Sequence, residues 1–399
     1  MPGSPAGDGA QALKDALAAV TAMTSDPAAV ASECAGEIAS AGDLLWPGPA
    51  GTPGGAAGAR VTSAVATGLS LLAACPGGVS FAGQHWCTAP HPHCPGPGVH
   101  DGSADAAKGT GAVHTPLWLA AAVTAPALDA LVYRPGPLSA RPREAWRTIP
   151  SGRLLGLRVA DISCGSGAFL LAAWAYLTAA LTTAWREEGD PRASDPYAAG
   201  QAVAARCLYG ADISPASVAL ARLSLQLAAY RPAAPAPSAG RFTTGDSLLG
   251  DGIPAAFPEV AAAGGFDAVI GNPPFLGGHK ITGQLGAAYR ERLVAEVARR
   301  RKGAADLSAY FLLRAWDLTG PHGMIAVLAT STLAEGATRE VGLEQVCAEG
   351  GKITWAVKSE PWPDSRAAVS YCAAVIAKAP VDDAAPRYLA RARPAPGRR

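Results

Sequence analysis

The sequence predicts an α/β fold built on a mostly parallel sheet, and three observations predict it. The first is the run Phe266-Asp267-Ala268-Val269-Ile270, apolar apart from Asp267, which reads as a buried strand. Gly271 breaks the run, and Asn272-Pro273-Pro274-Phe275 follows as a rigid turn. The second is a short strand over 157–161 that leads into Ile162-Ser163-Cys164-Gly165-Ser166-Gly167 and then into a helical run. The third is a pair of further strands, 207–212 and 241–246, which end in Asp212 and Asp246 as the strand over 157–161 ends in Asp161. Open α/β sheets place their chemistry at the carboxyl ends of strands, where all of these residues stand.

At 399 residues the chain has room for two or three domains, and 49% hydrophobic residues supply a large core. A net charge of +1 argues against a wholly basic surface for nucleic acid and leaves room only for a local patch. Eight cysteines without a disulfide-like framework fit a reducing cytoplasm, the expected location. Residues 1–10 lack a basic stretch followed by an apolar core, so no secretory signal is expected. The run 168–185 carries no charge and raises the question of a membrane helix. Its place directly after a strand and a glycine loop reads instead as a helix buried against the sheet, and no membrane association is expected.

Residues 1–107 read as an α-rich region, with helical spacing at 11–20, 27–45 and 60–75 and a Pro/Gly-rich linker at 46–58. His85, Cys87, His91, His93, Cys94 and His100 follow, packed among prolines. They could supply four tetrahedral ligands, but their spacing matches no paired C-x-x-C knuckle, and no metal is expected. Thr115 and Pro116 open the next helix as N-cap and first-turn residues. A second domain is expected over 108–380, with a polar excursion at 187–200, a helix capped by Ser214 and a glycine-rich segment at 276–286 that reads as a mobile lid. A helix from Ala287 is expected to end in Arg299-Arg300-Arg301-Lys302, whose cations suit either the helix macrodipole or a phosphate. The strand 324–329 and two later strands, 353–357 and 368–377, complete the set. Between the last two, Trp362 is expected to be exposed between prolines, and 381–399 reads as a basic, disordered tail.

The chemistry of the 272–275 turn follows from its residues. Each proline fixes φ and lacks an N–H, and a residue before proline is pushed to extended conformations. The Asn272 side-chain oxygen and the Pro273 carbonyl can thus be two converging acceptors without a competing donor, an arrangement suited to a planar amino group. The Phe275 ring beside them suits stacking on a flat heterocycle. The 165–167 loop lets a ligand approach the backbone, and the following helix N-terminus favours an anion. It lacks the third glycine of a dinucleotide fingerprint and the Gly-Lys-Ser/Thr of a phosphate loop. Any one strand-end acid could be only a helix N-cap. Three of them accompanying Asn-Pro-Pro-Phe point to a site.

Asn272-Pro273-Pro274-Phe275 resembles the amine-methylation motif of adenine-N6 DNA methyltransferases that use S-adenosylmethionine. Asp161-x-x-Cys164-Gly165-Ser166-Gly167-x-Phe169-Leu170 is similar to the first motif of the same enzymes. With the Thr115-Pro116 segment upstream, the motif order resembles the γ-type order of Eco57I-like and type IIL methylases. The resemblance implies a Rossmann-like sheet of seven strands with the last antiparallel. It implies that Thr115, Pro116, Asp161, Cys164, Gly165 and Gly167 surround the methionine end of the cofactor. Asp212 would accept the ribose hydroxyls and Asp246 the amino group of the cofactor's adenine. Asn272, Pro273, Pro274 and Phe275 would be catalytic, Trp362 would line the base pocket, and Arg299, Arg300, Arg301 and Lys302 would meet DNA. His114 stands where the family has an aromatic residue, and Ile162 where it often has proline.

DNA is the implied partner, in a restriction-modification or phage-defence system. RNA guanine and protein glutamine methyltransferases also use Asn-Pro-Pro-aromatic and stay open as alternatives, as does a non-catalytic cofactor-binding subunit. Methylases with this motif order usually carry a target-recognition domain after the catalytic one. The twenty or so residues after 377 are too few for such a domain, so sequence choice is expected to come from a separate specificity or nuclease subunit, or to have been lost with a domain truncated from a longer ancestor.

Overall fold

The computed structural model describes residues 79–81, 84–87, 98–100, 115–229, 241–362 and 370–390. The helices expected at 11–20, 27–45 and 60–75, residues His91, His93, Cys94 and His114, and the tail beyond Ala390 lie outside the described residues. In chain order the elements that matter are β1 (Val79–Phe81), β2 (Gln84–Cys87), β3 (Gly98–His100), α1 (Leu117–Val132), β4 (Val159–Asp161) and α2 (Ala168–Glu187). They continue with α3 (Ala198–Arg206), β5 (Leu208–Asp212), α4 (Pro215–Ala228), β6 (Phe242–Thr244), β7 (Phe266–Gly271), α5 (Gly278–Leu285), α6 (Ala287–Arg292) and α7 (Leu307–Leu318). The last strands are β8 (Thr319–Thr330), β9 (Lys352–Pro361), β10 (Ser370–Ala377) and β11 (Tyr388–Ala390). The chain divides into two compact units, the first drawn from 1–118, 150–157 and 164–245, the second from 119–149, 158–163 and 246–399.

In the first unit, β1, β2 and β3 form an antiparallel sheet where composition suggested only loops, with His85 opposite His100 in backbone register. The centre of this unit is α2, the one helix among the described residues long and apolar enough to cross a membrane. Its Leu170, Leu177 and Leu181 are fully buried, and each such leucine contributes about 1.5–3 kcal/mol. The Trp174 indole donates to the Gly200 carbonyl at 2.9 Å, which seats α3 on α2. At the far end the Arg192 guanidinium lies 4.4 Å from the centre of the Trp185 ring and pairs with Asp190. β5 and β6 run parallel, Gly210 facing Phe242 and Asp212 facing Thr244. Gly210 is the residue that lets the Phe242 ring lie against the strand, since a Cβ there would collide with it.

In the second unit the strand order is β11-β9-β10-β8-β7-β4. β4, β7 and β8 are mutually parallel, and β10 is antiparallel to both of its neighbours, whereas the last strand in chain order, β11, pairs in parallel, contrary to the antiparallel last strand that the resemblance implied. Nearly every residue of β7 and β10 is buried, the signature of strands covered on both faces. Asp267, the polar exception in β7, accepts the Arg158 backbone N–H at 2.8 Å and the Arg158 Nε at 3.0 Å, which staples the starts of β4 and β7. The Lys378 ammonium, its pKa lowered by burial, donates to the Trp316 and Thr319 carbonyls at 2.8 and 2.9 Å and so closes the C-terminus of α7.

Four expectations need correction. Gly271 does not break the strand but is its last residue. The turn expected at 319–323 is taken into β8 as an irregularity of register between Thr319 and Met324. The glycine-rich segment 276–286 is mostly α5, whose Gly278 packs against the Ala304 carbonyl so closely that a Cβ would collide. The helix from Ala287 ends at Arg292, passes through a π-turn at Leu293–Val297 and stops before the cations, with Arg299 and Arg300 at φ +50° and +64°. The basic tail also contributes structure, because β11 pairs in parallel with Trp355, Ala356 and Val357 of β9.

Candidate active site

In the second unit, β7 delivers Asn272, Pro273, Pro274 and Phe275 to its carboxyl end, with Pro273 buried and the other three half-buried. Asp161, at the end of neighbouring β4, is 2% exposed and accepts the Ser163 N–H at 3.0 Å. Gly271 joins the two, since a Cβ there would stand 2.7 Å from Asp161 Oδ1. A side chain at 271 would therefore push the acid and the 272–275 turn apart.

Behind the turn, the Phe275 ring meets Trp362 edge-on at 6.1 Å, and Trp362 meets Tyr371 edge-on at 5.9 Å. Trp362 is 8% exposed, contrary to the exposed position expected from its flanking prolines. The reason is β9, which stays paired with β10 through Pro361 and carries Trp362 inward. The Tyr371 hydroxyl is buried and has no hydrogen-bond partner among the described residues.

Asp246, also in the second unit, accepts the backbone N–H groups of Leu248 and Leu249 at 2.8 and 3.3 Å through Oδ1. Its Oδ2 accepts the Tyr289 hydroxyl at 2.9 Å. Tyr289 was not legible as a site residue. The cations following the π-turn are largely engaged. Arg299 pairs with Asp317 at 2.5 Å and Glu349 at 2.9 Å, and Arg301 meets Glu344 at 3.3 Å. Arg300 and Lys302 are exposed.

In the first unit the glycine loop is tied to the end of β5. The Cys164 N–H donates to the Ala211 carbonyl at 2.9 Å, and the Gly165 N–H donates to Asp212 Oδ2 at 2.9 Å. Asp212 Oδ1 accepts the Ser214 N–H at 2.9 Å, and Ser214 Oγ accepts the Ser217 N–H at 3.2 Å as the expected cap of α4. Burial raises the Asp212 pKa above the usual aspartate value, and the Ser214 and Gly165 donors oppose that shift. Gly165 and Gly167 adopt φ +51° and +95°, the left-handed region that glycine enters without penalty. A Cβ on Gly165 would meet open space, whereas one on Gly167 would press on Ala221 Cα at 3.2 Å. Ile213, which follows Asp212, is 73% exposed, an apolar side chain beside the acid that the sequence reading passed over. Thr115 is buried and, with Pro116, immediately precedes α1.

The two units thus present a glycine loop with a strand-end acid, and a second pair of acids with an Asn-Pro-Pro-Phe turn backed by aromatic rings. No curated protein matches the chain in sequence. Among solved structures it is similar to the type IIL restriction-modification enzyme MmeI in complex with DNA, at 19% identity and TM-score 0.46, over 57% of this chain and 32% of that one. It is also similar to the type I restriction-modification methyltransferase subunit from Streptococcus thermophilus, at 15% identity and TM-score 0.39, over 66% of this chain and 44% of that one. The M protein of the type I restriction enzyme EcoKI matches at 16% identity and TM-score 0.36, over 59% of this chain and 45% of that one. The chain spans less than half the length of each. The profile of the Eco57I restriction-modification methylase family matches residues 206–346. Those residues carry Asp212, Asp246 and the 272–275 turn, and in sequence they are similar to an Eco57I restriction-modification methylase domain.

Proposed function

We propose that the chain is a DNA methyltransferase of a restriction-modification system and that it methylates the N6 amino group of adenine, with S-adenosylmethionine as the methyl donor. The observation that carries the reading is the placing of Asn-Pro-Pro-Phe at the end of a buried parallel strand within the family match.

The donor set fits this cofactor. The glycine loop offers open space at Gly165, and Asp212 sits beside it as an acceptor for ribose hydroxyls. The exposed Ile213 offers an apolar face to an adenine ring, Asp246 an acceptor for its amino group, and Asp161 a carboxylate for an ammonium group. Thr115, Pro116, Cys164 and Gly167 complete the proposed set. When bound, S-adenosylmethionine supplies a methyl group on a positively charged sulfur.

The residues of the chain do the rest. The target base leaves the duplex stack before it can be reached. Phe275 stacks on it, and Trp362, edge-on behind Phe275, fixes the plane of that ring. The Asn272 oxygen and the Pro273 carbonyl accept the two amino hydrogens and turn the nitrogen lone pair out of conjugation with the ring. Alignment and preorganised acceptors carry the rate, and no nucleophilic cysteine is involved.

The test is transfer of labelled methyl groups from S-adenosylmethionine to DNA, RNA and protein offered separately, with the modified product identified by mass spectrometry. N6-methyladenine in DNA is the expected product. Label confined to RNA or protein, or no transfer to any of them, would overturn the reading.

A further inference from the structure

Asp246 is held from two directions. Oδ1 accepts from the backbone of its own turn, at Leu248 and Leu249. Oδ2 accepts from Tyr289, which arrives from α6, 43 residues further along the chain, at 2.9 Å. The loop that follows Asp246 is also held by side chains. Glu296 accepts from the Gly250 backbone, and Arg314 donates to the Ser247 and Gly250 carbonyls at 3.2 and 2.7 Å. Burial, the Asp246 charge and the hydrogen bond to it raise the Tyr289 pKa above the usual tyrosine value, so the phenol keeps the proton it donates.

A carboxylate offers about four acceptor positions, and the three donors from Leu248, Leu249 and Tyr289 fill all but one. The remaining position is on Oδ2, and the phenol fixes its direction. A group meeting it must bring an N–H or O–H, since a carbonyl oxygen in that place faces a negative charge with no proton between them. We propose that Tyr289 is a specificity-determining positioning residue, which orients Asp246 to accept the amino group of the cofactor's adenine and to refuse a 6-oxo purine. The inference rests on the proposed S-adenosylmethionine site and adds to it a residue and a selectivity.

The experiment compares binding of S-adenosylhomocysteine and its 6-oxo counterpart, S-inosylhomocysteine, to the full chain by calorimetry. The unaltered protein should prefer the adenine form by about 30-fold or more, the range for a site built to pair with a donor and offered an acceptor. Tyr289→Phe keeps the ring and its packing. It should cut the preference to about 5-fold or less through weaker binding of the adenine form. Asp246→Asn should remove the preference, and adding Tyr289→Phe to it should change nothing further. A preference that survives in Tyr289→Phe or in Asp246→Asn would overturn the inference. So would tighter binding by Tyr289→Phe, which would make the phenol a competitor for the site, or a second full loss in the double variant. If the unaltered chain binds neither compound, the cofactor reading itself has failed. If it binds the adenine form and only the variants disagree, the failure belongs to Tyr289 alone.

Discussion

Asn272 is the side chain whose removal should separate binding from chemistry. Asn272→Ala takes away one of two preorganised acceptors, so S-adenosylmethionine binding should be retained while methyl transfer falls by about 100-fold or more. Single-turnover kinetics beside calorimetry measure both, and near-normal turnover would remove Asn272 from the mechanism. Asp212 makes a pH-dependent prediction. Burial raises its pKa, so on acidification it takes up a proton earlier than an exposed aspartate would. Affinity for S-adenosylmethionine should therefore begin to fall at a higher pH than an ordinary aspartate dictates. Asp212→Ala should bind more weakly by about 1.5–3 kcal/mol and lose that pH dependence. Titration calorimetry across mildly acidic pH decides, and an unchanged profile would leave Asp212 as a cap only.

Single residues also divide clearly by how legible they were. The positions of Asp161, Asp212, Asp246 and the 272–275 turn, at or just past strand ends, were readable because strand, loop and acid are contiguous in the chain and the backbone alone places them. Tyr289 was not, because its value depends on α6 returning to Asp246 across 43 residues, a long-range contact that no local pattern encodes. Trp362 was misjudged for a related reason. Flanking prolines signal a surface loop locally, but the pairing of β9 with β10 overrides them and buries the ring.

Among the elements, the segment from α5 through the π-turn departs furthest from its local signals. Its glycines suggested a lid, yet Gly278 is fixed against Ala304 by close packing. Its cations suggested a helix terminus, yet Arg299 turns back onto Asp317 and Glu349. The parallel strands were legible because burial on both faces demands continuous apolar runs. The extent of β8 was not, because the Thr-Gly-Pro-His-Gly sequence carries every mark of a turn. The aromatic stack joining β7 to β10 yields the prediction at this scale. Trp362→Ala should raise the apparent KM for DNA, through a loosened Phe275, while S-adenosylmethionine affinity stays unchanged. Because Trp362 is buried, the variant should also lose about 3–5 kcal/mol of stability, so kinetics are to be normalised to folded protein. Stability loss with unaltered KM would assign Trp362 to packing alone.

For the whole molecule, charge is the governing quantity. The net charge is +1, and of the four cations after the π-turn Arg299 and Arg301 are paired internally while Arg300 and Lys302 are exposed. DNA binding by the chain should accordingly be weak, and Arg300 and Lys302 should each contribute about one unit to the slope of log affinity against log salt. Anisotropy titrations over a range of salt, on Arg300→Ala and Lys302→Ala, measure this. Arg299→Ala should instead lower the thermal midpoint and leave the slope alone, and the reverse result would return Arg299 to the DNA surface.

The contact between Gly271 and Asp161 bears on how this scaffold can be changed. Under the proposed function, retargeting the site toward a different amine would ordinarily begin by reshaping the 272–275 turn. Here the strand that carries the turn has no slack on the side of Asp161, with 2.7 Å between a hypothetical Cβ and the carboxylate. Any redesign that shifts the turn must also relocate that acid, so the two positions form one engineering variable. Libraries that randomise the turn alone should yield mostly inactive clones, and those that vary residue 161 together with residue 271 should recover the accessible alternatives.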